Sequence, residues 1–197
     1  WLSESENGKL SSAVLSEAQE IQGVKCAKRT RVWLENGKLS EAVLSEDQVI
    51  QGIKFIKGTS IRLYENGKLS SAVISEDQVI QGIKCVKETE ISLHENGKLR
   101  KAALSKDQVI QGIKCANKGW VEFFNNGKLS DAELSKDQVI LGVKCAKATT
   151  VRFDKNGKLF SAVLAEDQMI RGINCAKGER VLFDTNGKVI QHYTEFY

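Results

Sequence analysis

Proline is absent from the 197 residues, methionine occurs once, histidine twice, and aromatic residues make up only 7% of the chain. Collagen-like and mucin-like classes need proline, and 41% hydrophobic with 27% charged residues is the composition of a folded protein, not of bulk disorder. No apolar run approaches the roughly 20 residues that a bilayer-spanning helix requires. The two histidines, His94 and His192, hold non-equivalent positions far in sequence from the cysteines, and no phosphate-binding loop is present. The expectation is therefore a non-enzyme without cofactor or metal. A formal net charge of +4 is too small an excess to point to nucleic acid.

What the chain has in plenty is glycine, and its 16 glycines fall on a lattice. Asn-Gly begins at Asn7, Asn36, Asn66, Asn96, Asn126, Asn156 and Asn186, with spacings of 29, then 30 throughout. A second column, Gly23, Gly52, Gly82, Gly112, Gly142 and Gly172, keeps the same steps. Gly58, Gly119 and Gly178 fall in one further region of the repeat. Such a period marks an array of units that bury their apolar faces only against each other. Units begin at 7, 36, 66, 96, 126 and 156, so residues 1–185 hold six tandem repeats behind an amino-terminal strand, and 186–197 form a capping strand. The opening residues, with Trp1 and Leu2, read as an unfinished strand paired around Asn7. The ending, His192, Tyr193, Phe196 and Tyr197, lays aromatics over the last unit. A chain beginning at Trp1 without Met reads as a processed or truncated product whose targeting signal lies out of view.

Each unit contains an alternating segment such as Ile61-Arg62-Leu63-Tyr64, then Asn-Gly, then Leu69 with Ala72 and Ile74 one residue out of phase. This predicts two strands joined by a type I′ turn, the second bulged near Ser70-Ser71. The following SEDQVIQGIKC keeps Ile80, Ile83 and Cys85 constant and predicts a third strand bent at Gly82. A short helix competes, because Ser75 and Gln78 have capping-box spacing. A glycine inside every such helix would cost about 1 kcal/mol, which favours the strand. The predicted fold is all-β: tandem 30-residue repeats in an elongated stacked β-hairpin array or a β-solenoid-like sheet.

The segment Leu63-Tyr64-Glu65-Asn66-Gly67-Lys68-Leu69 and its copies resemble the MORN-like repeats of bacterial YwqK-type antitoxins. There, too, an aromatic, an acidic residue and Asn-Gly-Lys-Leu introduce each hairpin. The resemblance covers about ten residues of each unit, and SEDQVIQGIKC departs from it. It implies a binding or structural array, in some members an antidote to a toxin, with no catalytic residues to carry over. A looser similarity, from Leu39 through Ala42, Leu44 and Asp47 to Val49, is to leucine-rich repeats.

The five cysteines form one column, Cys26, Cys85, Cys115, Cys145 and Cys175, whose sixth member is Phe55, so the slot reads as apolar and the thiols as buried and reduced. That favours a reducing compartment such as the cytoplasm, while the hidden native start leaves a cell-surface or secreted location open. Of the 29 basic residues, 17 are lysines in three columns, interleaved with acidic columns such as Asp47, Asp77, Asp107, Asp137 and Asp167. The aspartates read as turn closers, and the alternating charges as a solvated face that discourages edge pairing. The expected function is non-enzymatic: a regular β surface for a protein or other macromolecular partner, or a structural spacer. Alternatives are an antitoxin or immunity-type role and binding of an anionic polymer through the lysine columns. The residues that vary on the first strand while the frame stays fixed, Trp33, Arg62, Tyr64, Glu122, Phe124 and Arg152, are the candidate contact surface.

Overall fold

The computed structural model describes residues 2–4 and 10–194, with side chains from residue 10 onward, and every regular element among them is a strand. The Asn7 turn, Trp1, Phe196 and Tyr197 lie outside the described residues. Contacts divide the chain into two compact units, residues 1–81 with 86–99, and residues 82–85 with 100–197.

In the first unit the long strands Leu2–Glu4, Leu10–Val14, Arg31–Glu35, Lys38–Val43, Ser60–Leu63, Leu69–Val73 and Glu90–Leu93 lie antiparallel in chain order. The second unit repeats the pattern with Trp120–Phe123, Leu129–Glu133, Thr150–Phe153, Leu159–Val163, Glu179–Phe183 and Val189–Thr194. Each repeat thus gives two strands to a sheet, which is the array form of the prediction and not a one-rung solenoid. Two strand spacings put successive copies roughly 10 Å apart, too far for neighbouring cysteines to bond.

The expected bulge is present. Leu69 faces Leu63 while Ser71 faces Arg62, a one-residue slip that turns both Leu69 and Ala72 inward. Ile61, Leu69, Ala72, Ile74, Ile80 and Cys85 are all buried, and so are their counterparts in the central copies, such as Val121, Leu129, Ala132, Leu134, Ile140 and Cys145.

SEDQVIQGIKC is corrected in detail. It folds not as one bent strand but as a tight hairpin of two three-residue strands, for example Gln108–Ile110 and Ile113–Cys115. Ile110 and Ile113 are buried, so the apolar pattern that suggested a single strand is one inward face carried around a turn. At that turn both central residues are left-handed, as at Gln111 (φ 49°) and Gly112 (φ 84°), the signature of type I′.

The Asn-Gly turns are the second correction. Among the described Asn-Gly turns only Asn36-Gly37 has two positive φ values, 52° and 80°. In the later copies glycine alone is left-handed: Gly67 N–H donates to Tyr64 O and Tyr64 N–H to Lys68 O, each at 2.8 Å, a three-residue loop closed by a glycine bulge. The cause is the 29-residue first spacing. Val32 to Leu39 is one residue shorter than Ile61 to Leu69, and the missing residue comes out of the loop.

Each short hairpin also leans on the next copy. Ser135 N–H donates to Lys114 O and Ala116 N–H to Glu133 O, both at 2.9 Å, and Cys115 bridges to Leu134. The aspartate column closes the following turn as expected, with Asp107 Oδ1 accepting from Asn117 N–H at 2.7 Å and Asp137 Oδ1 from Lys147 N–H at 2.7 Å.

Candidate functional site

Alternation decides what the long strands show to solvent. With Ile61, Ala72 and their counterparts pointing inward, the cross-strand partners between them point out. In the first unit that outer face carries Trp33, Glu41, Arg62 and Ser71 in pairing register. In the second it carries Lys101, Glu122, Asp131, Arg152 and Ser161. In the second row Glu122 and Asp131 face each other between Lys101 and Arg152, and in both rows the charges pair with a neighbour of opposite sign: Arg62 Nε with Glu41 Oε2 at 3.3 Å, Lys101 Nζ with Glu122 Oε1 at 2.9 Å, Arg152 Nε with Asp131 Oδ1 at 3.1 Å. These are solvent-exposed pairs, each contributing roughly 0.2–1 kcal/mol at most. Their effect is to leave a face with little net charge of its own.

Four of the six candidate residues, Trp33, Arg62, Glu122 and Arg152, stand on these outer faces. The other two do not. Tyr64 opens the Asn-Gly loop and donates its hydroxyl to Leu93 O at 2.8 Å, bracing the next copy, while Phe124 sits at the same loop position in its own repeat, half-buried. Both are framework residues of the turns.

Trp33 was among the candidates, but its cation Arg31 and the second pair, Lys101 and Trp120, escaped the sequence reading. Trp33 is 45% exposed with the Arg31 guanidinium 5.3 Å from its ring centroid. Trp120, 42% exposed, carries Lys101 Nζ at 4.8 Å, and Ala103, opposite it in register, is buried. A tryptophan under a cation is held in one orientation, with part of its surface left to solvent. The signal was there, since Trp120 stands in a column otherwise filled by Arg31, Ser60, Glu90, Thr150 and Arg180, but a single deviation in a variable column does not announce a partner.

Two glutamine columns were missed altogether. At the type I′ turns, Gln111 Nε2 donates to Gly127 O at 2.9 Å and its Oε1 accepts from Leu129 N–H at 3.0 Å, pinning the next Asn-Gly loop across its bulge. Gln22, Gln51 and Gln81 make the same pair of bonds. Gln78, Gln108 and Gln168 perform a matching task one strand earlier, each side-chain amide bonding both the N–H and the carbonyl of the preceding copy's lysine. At Leu141 and Arg171 the turn glutamine is replaced, and a recess of about 510 Å³ opens among Leu141, Lys158, Met169, Arg171 and Phe183.

The lysines after Asn-Gly are largely engaged by the fold. Lys68, Lys128 and Lys158 donate their ammonium groups to Asn96 O, Asn156 O and Thr185 O of the next loop. Lys25, Lys54 and Lys144 pair with Glu46, Glu76 and Glu166. All five cysteines are free and buried. Burial raises the Cys115 thiol to about 11 and Cys145 to about 12, which keeps them protonated and unreactive near neutrality.

Fold and face together define an all-β tandem hairpin-repeat protein with a variable outer surface. Searches of protein-family models, curated proteins and solved structures returned no match to this chain. Among the described residues no helix is long and apolar enough to cross a membrane.

Proposed function

We propose that the chain is a non-enzymatic scaffold in which the outer long-strand face of each unit binds a protein partner. The observation that carries this reading is the pairing of an invariant backbone register with exposed, cation-braced Trp33 and Trp120 among mutually neutralised charges. Tryptophan and arginine dominate binding energy in protein interfaces, because a large rigid side chain buries much area at little entropic cost. A nearly neutral face with paired charges suits a protein surface better than a polyanion. The lysines that would serve a polyanion are used instead in loop and salt-bridge contacts. The likeness to MORN-like arrays supports the same class, and an antidote role would be one instance of it.

The test is site-specific photo-crosslinking in native lysate from Arg62 and Arg152, with the exposed Val109 of a short hairpin as control. A discrete adduct from the face positions is expected, weakened at least tenfold by Trp33→Ser with Trp120→Ser while circular dichroism stays unchanged. Equal labelling from all three positions, or adducts indifferent to the tryptophans, would remove the reading.

A further inference from the structure

Every copy states what the others should carry, so chemistry beyond packing can enter where one copy departs. Two departures meet in the last copy. Four residues after the cysteine column stand Thr30, Thr59, Thr89, Gly119 and Thr149, and then Glu179. The inward alanine column Ala42, Ala72, Ala102, Ala132 and Ala162 ends in His192, which faces Val181 across its hairpin as Ala132 faces Val121. Histidine and cysteine, far apart in sequence, are thereby brought to one place. The Cys175 sulfur, a Glu179 oxygen and a His192 ring nitrogen lie within 4.8 Å of one another, the one such mixed cluster among the described residues.

We infer that Cys175, Glu179 and His192 bind a divalent transition-metal ion of the zinc class, with three protein ligands and a fourth position left to solvent. Thiolate, carboxylate and imidazole together suit zinc or cobalt, whereas calcium and magnesium require oxygen ligands throughout. Ligand atoms around a tetrahedral ion with bonds of about 2.0–2.3 Å stand roughly 3.5 Å apart, so small side-chain rotations complete the site. Two of the three already converge: His192 Nδ1 is 2.9 Å from Glu179 Oε2, and that same oxygen is anchored by the Ala176 N–H at 2.9 Å. Cys175 is also the least engaged of its column. Its Sγ stands 3.8 Å from the Ile173 carbonyl, whereas the others approach their carbonyls to 3.3 or 3.4 Å. A recess of about 440 Å³ bordered by Asp167, Met169, Asn174, Cys175 and Glu179 gives an ion a route inward. On binding, the thiol proton passes to solvent and the sulfur enters as thiolate.

The full chain, kept reduced with a non-thiol reductant, is titrated with cobalt(II) and followed by absorption. One equivalent should saturate a near-ultraviolet thiolate-to-cobalt charge-transfer band together with visible bands of tetrahedral cobalt, and zinc should displace both. His192→Ala and Glu179→Thr install the residues the other repeats carry at those columns, so both variants keep the repeat's own packing. Each should weaken cobalt binding by more than ~10-fold. Cys175→Ser should abolish the charge-transfer band, and Cys115→Ser should leave it intact. Absence of the band in the parent chain, or full affinity in the histidine and glutamate variants, overturns the assignment.

Discussion

Glutamine has no special liking for the left-handed backbone, yet it occupies the first central position of four type I′ turns at φ 50–52° or 49°. Its side chain explains the choice, since one primary amide offers a donor and an acceptor in the geometry of a peptide group and so stands in for a missing strand. Gln111 satisfies both Gly127 O and Leu129 N–H, which the bulge would otherwise leave without backbone partners. Gln111→Ala should therefore lower stability by about 1–2 kcal/mol, a net worth near 1 kcal/mol per bond. Leu141→Gln should raise it, because Gly157 and Leu159 occupy the same relation to that turn and Leu141 is 71% exposed in its place. Urea unfolding of the two variants measures both signs, and equal destabilisation by the two would refute the clamp.

At the scale of elements, connections differ in what they ask of a residue. The turn that leads from the short hairpin to the next long strand holds one left-handed residue in every described copy. Gly58 (φ 85°) and Gly178 (φ 82°) fill it without cost, but Arg29, Glu88, Lys118 and Ala148 fill it at φ 56–61°. The backbone demands the conformation: Ala148 N–H donates to Leu134 O at 2.8 Å, as Gly178 N–H does to Leu164 O at 2.9 Å. A non-glycine residue pays a steric penalty there of roughly 1 kcal/mol. Ala148→Gly should accordingly stabilise by about 0.5–1 kcal/mol, the relief of strain exceeding the greater freedom of glycine in the unfolded chain. A lowered denaturation midpoint would contradict the left-handed assignment.

Across the molecule, stability is a sum of copies and the contacts between consecutive copies. One copy offers too few buried positions to fold by itself, as chains below about 40 residues seldom do unaided. Excision of residues 126–155 joins Asn125 to Asn156 and preserves every register, because the removed segment is one full period. The shortened protein should keep the all-β circular dichroism of the parent with a lower unfolding midpoint, while the excised 30-residue peptide should be unfolded in isolation. A folded peptide would show the copies to be independent domains.

The 30-residue period, the inward columns, the bulge and the turn-closing aspartates could all be read from the sequence, because each is a local pattern repeated six times and therefore free of accident. The cysteine slot was legible for the same reason, through Phe55. Turn type was not, since Asn-Gly suits both a two-residue type I′ turn and a glycine-bulge loop, and only the number of residues between the paired strands separates them. The short hairpin was not, since an apolar face folded back on itself has nearly the pattern of a bent strand. Tyr64 and Phe124 looked like surface residues until the next copy was laid beside them. The glutamine clamps and the meeting of Cys175, Glu179 and His192 belonged wholly to the tertiary structure. Sequence fixes spacing along the chain, but the approach of one copy to the next, set by the width of two strands, decides which distant side chains touch.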